Sequence, residues 1–349
     1  MAETSSATRA RRPAEVVRLL APGVLLSVLV AIIAVYGAPY VARVAPIPPM
    51  VLALIVGIML NPVAVNPHFQ PGLLFCVKKL LRWAVALLGL RIALGDIAAL
   101  GISTGIVVVV SMVVTIVAGF VFARLFGLPA PFGALAGSGT AVCGASAALA
   151  TATVLPDYKG KDADVIFVVI AVNALATLAM VFYPPLAKEL GFDHHVTGIL
   201  LGATIHDVAQ VVGAGYAVSD AAGNTAVIVK LFRVFLLLPV VLAVGWWFAR
   251  TGAAATAARV PVPVFAFVFL ALCIVNSILP STGLAPLYGG VKYWLVEASS
   301  DGLLIAISAL GLGTSLSSVS KLGWRHMVTV VGTTIVILAV VTAALVVVR

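Results

Sequence analysis

Long apolar stretches alternate with short polar joints along this chain. Runs of near-spanning length fall at roughly 19–36, 46–60, 76–95, 101–124, 131–154, 163–184, 196–218, 226–249, 262–280, 300–318 and 326–348. At 1.5 Å per residue, about 20 apolar residues cross a hydrocarbon layer of about 30 Å. The pattern therefore predicts an all-α polytopic membrane protein with about eleven transmembrane helices. The second run is short and opens on the proline cluster PIPP, and the tenth is rich in glycine and serine. No joint is long enough to hold a soluble domain.

Composition agrees with the pattern. Of 349 residues, 62% are hydrophobic and 9% charged, and the mean hydropathy is +1.20. A water-facing surface needs about a quarter of charged residues, so a soluble globule is excluded. The isoelectric point of 9.7 does not point to nucleic acid, because the cations sit singly at the ends of apolar runs. That placement is the one expected of cytoplasmic loops. With the N-terminus in the cytoplasm, thirteen Lys and Arg fall on that side and eight on the other. The expected orientation is N-in and C-out. Arg9, Arg11, Arg12 and Arg18 precede the first run as they would in a cleaved signal. The following APYVARVAP offers no clean small-x-small cleavage site, so a retained first helix is expected. Cys76, Cys143 and Cys273 show no paired or metal-ligating spacing, and neither a disulfide framework, a metal site nor a cofactor is expected.

Three pairs of stretches look alike across the two halves. KLLRWAVAL at 79–87 resembles KLFRVFLLL at 230–238, GSGT at 137–140 resembles GLGT at 311–314, and ALIVGIML at 53–60 resembles GILLGATI at 198–205. They run in the same order, which suggests an internal repeat. Residues 1–18 would be a cytoplasmic tail and 19–45 an extra N-terminal helix and loop. Residues 46–190 would be one unit of five spans and 191–349 a second. An odd number of spans inverts the second unit, giving an inverted five-plus-five repeat of the kind found in secondary transporters.

The repeat places both glycine runs in the fourth span of their unit. Glycine weakens a helix, and an interrupted helix frees backbone groups that hydrocarbon cannot satisfy. The N-terminal end of a half-helix, with unpaired N–H donors and a partial positive charge, suits an oxyanion. The substrate-binding candidates are Gly137, Ser138, Gly139, Thr140 and Cys143 in the first run, and Gly311, Gly313, Thr314 and Ser315 in the second. The plainer alternative is close packing, since Gly133, Gly137 and Ala141 make a small-xxx-small face.

Polar residues inside apolar runs are costly and need partners. His206 and Asp207 fall inside the seventh run, with Gln210 on the same side. Asp207 could exchange a proton during transport; the structural alternative is a carboxylate that caps a broken segment or pairs with Arg82 or Arg233. Asn173 in the sixth run could line the same cavity or bond between helices. Arg82 and Arg233 are the matched arginines of the repeat. Both could face a polar cavity and an anion, or snorkel to the interface. Arg91 and Asp96 are expected to form an interfacial ion pair. His206 and Asp207 alone do not make a metal site.

The stretches LLRWAVALLGLRIALGDI, AGSGTAVCGASA and GATIHDVAQVVGAGYAV, followed by KLFRV, resemble the YeiH-like sulfate exporter family of bacterial inner-membrane proteins. The resemblance covers nearly all of the chain after the first helix. Members often read HEVAQ where this chain has HDVAQ, a carboxylate one methylene longer. The resemblance implies a secondary carrier in a superfamily with bile-acid, arsenite and riboflavin transporters, built on an inverted repeat with crossing, broken helices.

The leading expectation is a secondary transporter that exports a small inorganic or sulfur-containing oxyanion, of the sulfate, sulfite or sulfonate class. A cation/proton antiporter using Asp207 is the alternative. An intramembrane enzyme lacks any GxSxG or HExxH sequence, and ATP drive lacks a Walker A sequence. A scaffold would leave the buried polar residues unexplained. The expected partners are the lipid bilayer, a small-molecule or ion substrate and, as an assembly, a homodimer.

Overall fold

The computed structural model describes residues 13–41, 48–250, 264–281, 285–314 and 323–348. Every apolar run becomes helix, and no strand occurs among the described residues. The chain begins with α1 (Pro13–Val41), α2 (Pro49–Met59) and α3 (Asn61–Ala64). A third long segment follows: α4 (Gln70–Phe75), a π-turn (Cys76–Leu80), α5 (Leu81–Leu87) and a 3₁₀ turn (Leu88–Arg91). Next come α6 (Leu94–Ala99), α7 (Gly101–Leu125), α8 (Ala130–Ala141), α9 (Ala145–Ala152) and α10 (Lys161–Glu189). The second half holds α11 (His194–Thr204), α12 (Val208–Val218), α13 (Asp220–Phe235) and α14 (Leu237–Arg250). It ends with α15 (Val264–Ile278), α16 (Ala285–Gly313) and α17 (Trp324–Val348). Among the described residues, 7 helices are long and apolar enough to cross a membrane, α13 and α14 counting as one.

Two of the eleven apolar runs do not cross. The run at 131–154 breaks after Ala141 and folds back on itself. The Thr151 hydroxyl donates to Ser138 Oγ at 2.8 Å, and a Cβ on Gly139 would lie 3.7 Å from that of Ala148. Had α9 continued in the direction of α8, positions 138 and 151 would be about 20 Å apart. The run at 196–218 folds back in the same way. Position 198 of α11 and position 215 of α12 both pack on the first turns of α13, against Ala222 and Thr225 and against Gly223 and Ala226. Each pair is a re-entrant helical hairpin.

The hairpins enter from opposite faces, and α10 is the ruler that shows it. Phe132 at the start of α8 lies 6.0 Å from Phe167 near the start of α10, and position 139 faces Val168 and Val172. So α8 runs with α10. Gln210 bonds Asn173 and Thr177, and position 213 meets Met180, so α12 also runs with α10. Its partner α11 therefore runs against both. At 12 residues for α8 and 11 for α11, each descending limb reaches about 17 Å, roughly half of a bilayer core. The two tips meet there.

The expectation of two interrupted helices holds, but the second lies elsewhere. GLGT falls at the end of α16: Gly311 and Gly313 are in its last turn, and residues 315–322, where the predicted run would continue, lie outside the described residues. A Cβ on Gly311 would lie 3.1 Å from Gly57 Cα, so this position serves close packing against α2. The Thr314 hydroxyl donates to Leu310 O at 2.7 Å, within its own helix end. Ser315 lies outside the described residues. The second interruption is at Ile205–Asp207 instead, and it brings a different residue set to the tip of α8.

The helices sort into two groups. One holds α1 to α5, α15 and α16; the other holds α7 to α14 and α17. They meet along a seam where α12 lies against α2 and α16, and α13 against α15. Within the second group the first hairpin is seated on α7 through small residues. A Cβ on Gly119 would lie 2.8 Å from Gly137 Cα, backbone that cannot step aside. Gly119→Ala is expected to separate α7 from α8 and to cost about 1–3 kcal/mol. A melting curve of the purified variant checks this; an unchanged midpoint would show that the two helices are not held this closely.

Candidate functional site

A helix end leaves its last carbonyls without intrahelical partners, and hydrocarbon offers none. Two such ends meet here, those of α8 and α11. The donors come from α13, whose Lys230 and Arg233 are three residues apart on one helical side. Lys230 Nζ donates to Val142 O at 2.8 Å, to Ile205 O at 2.9 Å and to His206 O. Arg233 donates through Nε to Ala141 O at 2.9 Å and through Nη1 to Gly202 O and Ile205 O, both at 3.0 Å. Its Nη2 donates to Thr140 O at 2.9 Å and Ala141 O at 2.7 Å. Both side chains are 0% exposed. Two cations thus satisfy the freed carbonyls and oppose the negative ends of two half-helices. They staple the opposed hairpins together.

This corrects the reading of Arg233 as an anion-facing residue. All five of its N–H donors go to backbone oxygens, so it supplies charge to the site and no free donor. Snorkelling is excluded by its burial. Lys230 had no assigned role in the sequence reading. Its signal in the sequence is a lysine inside an apolar run three residues from an arginine, but a run that starts at 226 places Lys230 near an edge. The helix starts at Asp220, so Lys230 is two to three turns inside it.

The first hairpin turns through Val142, Cys143 and Gly144. Gly144 has φ 64° and ψ −127°, a conformation that side chains resist, and it packs beside His206 O and Asp207 Cβ. Cys143 is buried at this tip and is a free thiol. Ser138 and Thr140 were candidates for ligand hydroxyls, and the structure commits both to helix packing. Ser138 accepts from Thr151 and donates to Leu135 O at 3.3 Å. Thr140 Oγ1 lies 2.9 Å from Thr333 Oγ1, and Thr333 donates onward to Val330 O at 2.8 Å. Thr140 is therefore the donor of that pair.

The second hairpin turns through Ile205, His206 and Asp207. Asp207 caps α12, its Oδ1 accepting from Ala209 N at 2.9 Å. It is half-buried and lies within electrostatic reach of Lys230 and of Arg82. Arg82 stands near the middle of the third segment, on the other side of the seam, and is exposed. It is therefore not a residue at a helix end. His206 is fully buried, with Nε2 3.0 Å from Thr334 Oγ1. The Thr334 hydroxyl is spent on Val330 O at 2.9 Å, so it accepts from Nε2–H, and this fixes the tautomer. His206 Nδ1 is left without a hydrogen-bond partner. Gln210 is fully buried; its Nε2 donates to Asn173 Oδ1 at 3.3 Å and Thr177 Oγ1 at 3.4 Å, and its Oε1 has no partner.

The structure thus brings Gly137, Ser138, Gly139, Thr140, Cys143, His206, Asp207, Gln210, Asn173 and Arg233 to one region. Gly311 belongs to the packing of α16 on α2, Gly313 is exposed with open space around it, and the Thr314 hydroxyl bonds within its own helix end. The accessible part of the region is its mouth on the seam: Asp207, Asn173 and Ala145 are half-buried there and Ser146 is exposed. The N-termini of α9 and α12 open at that mouth. Arg91 does not pair with Asp96. It bridges the seam at one face, 3.6 Å from Asp220 and 5.4 Å from the centre of the Tyr216 ring. Asp96 instead accepts from Ala93 N at 2.8 Å at the start of α6.

Fold and site define a polytopic helical membrane protein with two opposed re-entrant hairpins. The chain belongs to the family described as conserved hypothetical protein 698, which matches residues 22–330, in agreement with the resemblance carried by its motifs. A UPF0324 membrane protein named TauZ from Paracoccus pantotrophus is 41% identical over 328 residues, 93% of this chain and 94% of that one. A UPF0324 membrane protein of Chlorobaculum tepidum is 38% identical over 317 residues, 90% of this chain and 86% of the relative. One from Rhizobium meliloti is 40% identical over 319 residues, 90% of each chain. Among solved structures, a sodium proton antiporter from Methanocaldococcus jannaschii aligns over 94% of this chain and 95% of its own at 17% identity. Its TM-score of 0.26 is too low to bear on fold or function.

Proposed function

We propose that the chain is a secondary carrier of a small oxyanion, of the sulfate, sulfite or sulfonate class, bound where the two hairpin tips open on the seam. The observation that carries this reading is the buried pair Lys230 and Arg233 at the tips, faced by a single carboxylate, Asp207, with Arg82 across the seam. The balance of charge there is positive. The N-termini of α9 and α12 add partial positive charge at the same mouth. Two helix groups meeting on a seam suit alternating access by movement of one against the other. Export and an inner-membrane location belong to the same proposal, as do the inverted units at 46–190 and 191–349.

The N-in orientation gains support from the hairpins. Each returns to the face it leaves, so the termini stay on opposite faces. Lys159 and Lys161 now share the face of Arg18, Arg124, Arg250 and Arg325, while Arg91, Lys188 and Lys292 lie towards the other. This asymmetry is what a cytoplasmic N-terminus requires.

One observation favours cation/proton exchange instead. The orphaned Gln210 Oε1 and the Asp207 carboxylate are oxygen acceptors that a cation would satisfy. A thermal-shift screen of the purified protein with sulfate, sulfite, methanesulfonate and sodium decides between the two. An anion at a hundred times its dissociation constant should add about 2.7 kcal/mol. Stabilisation by sodium with no response to any oxyanion would defeat the anion reading.

A further inference from the structure

An open cavity lies on the seam, away from the hairpin tips. It has a volume of about 270 Å³ and is walled by Pro48, Met50, Tyr216, Ala217, Ser300 and Asp301, among others. It separates α12, the returning limb of the second hairpin, from α2 and α16 of the other helix group. Its walls are mostly apolar, and Asp301 brings the one charged side chain to them. Asp301 stands on α16, a helix long enough to span, and among the described residues no cation lies within ion-pair distance of it. Asp301 is exposed at the cavity wall, so its carboxylate is accessible to an occupant.

Three features of the walls favour a positive occupant. Asp301 supplies a full negative charge. The last turn of α12, with Tyr216 and Ala217, presents the negative end of a half-helix. The Tyr216 ring supplies a π-face that already carries one cation, the Arg91 guanidinium 5.4 Å from its centre, and its hydroxyl is engaged with Asn224 Oδ1 at 2.7 Å. The N-terminus of α2 opposes them in part, with the N–H groups of Met50 and Val51, since Pro48 and Pro49 carry none. Arg91 does not neutralise Asp301, since it pairs with Asp220 and is not in the cavity wall. The size is at the small end for ligand pockets, and the walls suit alkyl groups better than a hydrated metal ion.

We infer that this cavity binds a small organic ammonium ion, held by the Asp301 carboxylate and the Tyr216 ring. The inference does not depend on what crosses at the hairpin tips. An ammonium bound here bridges the two helix groups and holds the seam closed, so it acts as an inhibitor of any flux that needs the groups to move.

The test is isothermal titration of the full-length protein in detergent with tetramethylammonium and n-butyltrimethylammonium. The neutral isostere 3,3-dimethylbutanol is the control. Saturable binding of the cations and none of the alcohol is expected. Asp301→Asn, which keeps the shape of the side chain, should weaken binding by about tenfold or more, and Tyr216→Leu should weaken it too. Ala217→Leu, which fills the cavity without touching Asp301, should abolish binding while the melting temperature is kept. No saturable binding of either cation to the native protein would overturn the inference, and so would unchanged affinity in Asp301→Asn or equal binding of the alcohol.

Discussion

Arg233→Met is expected to cost about 3–5 kcal/mol and to lower the melting temperature by about 10 °C, or to prevent accumulation in the membrane. The substitution keeps an unbranched apolar stem, ends short of the guanidinium and removes all five donors. Four carbonyls, those of Thr140, Ala141, Gly202 and Ile205, then lose that partner in a region that water does not reach. A buried acceptor left unpaired costs about 1–3 kcal/mol, more than an ordinary hydrogen bond contributes. Arg233→Lys should fail as well. It restores the charge, but three donors on one atom cannot reach carbonyls that the planar guanidinium spans from two hairpins. Melting curves of the purified variants check both, and a native midpoint for Arg233→Met would show that the staple does not hold the tips.

Asp207→Asn should leave the protein folded and abolish flux driven by a pH gradient. The geometry makes this an informative substitution. Asp207 has a structural role as the cap of α12, which Asn fulfils about as well. What Asn removes is the charge and the capacity to take up a proton. If Asp207 only capped the helix, Asp207→Asn would behave as the native protein, and Asp207→Ala would lose about 1 kcal/mol. If the charge is used in coupling, Asp207→Asn loses coupling at a native melting temperature. Proteoliposome flux against an imposed pH gradient, measured beside the melting temperature, separates these cases. Normal pH-driven flux in a well-folded Asp207→Asn would remove the coupling role.

Much of the site was legible because buried polar residues are conspicuous in an apolar chain. His206, Asp207 and Gln210 stand out in the run at 196–218, and the structure puts all three at a hairpin tip. GSGT marks a real break, since α8 ends at Ala141 directly after it. GLGT carries nearly the same letters and stands at the end of α16, where Gly57 opposite Gly311 turns the small residue into a packing contact. A glycine run states only that the backbone can bend or be approached closely. Which of the two happens depends on what lies opposite.

The sequence by itself determined that this is a helical membrane protein, where its apolar segments run, and that polar chemistry gathers near residues 137–144 and 205–210. These follow from hydrophobicity and helical rise, which are local. Tertiary structure decided the direction of the chain after each break. A run of about twenty apolar residues with a break in the middle reads the same whether its second half continues or returns. Turning back is stable here only because Lys230 and Arg233, roughly ninety residues beyond the first tip, reach the carbonyls that the turn exposes. It is that long-range satisfaction of backbone groups, in a solvent that cannot provide it, that makes two hairpins out of two apparent spans.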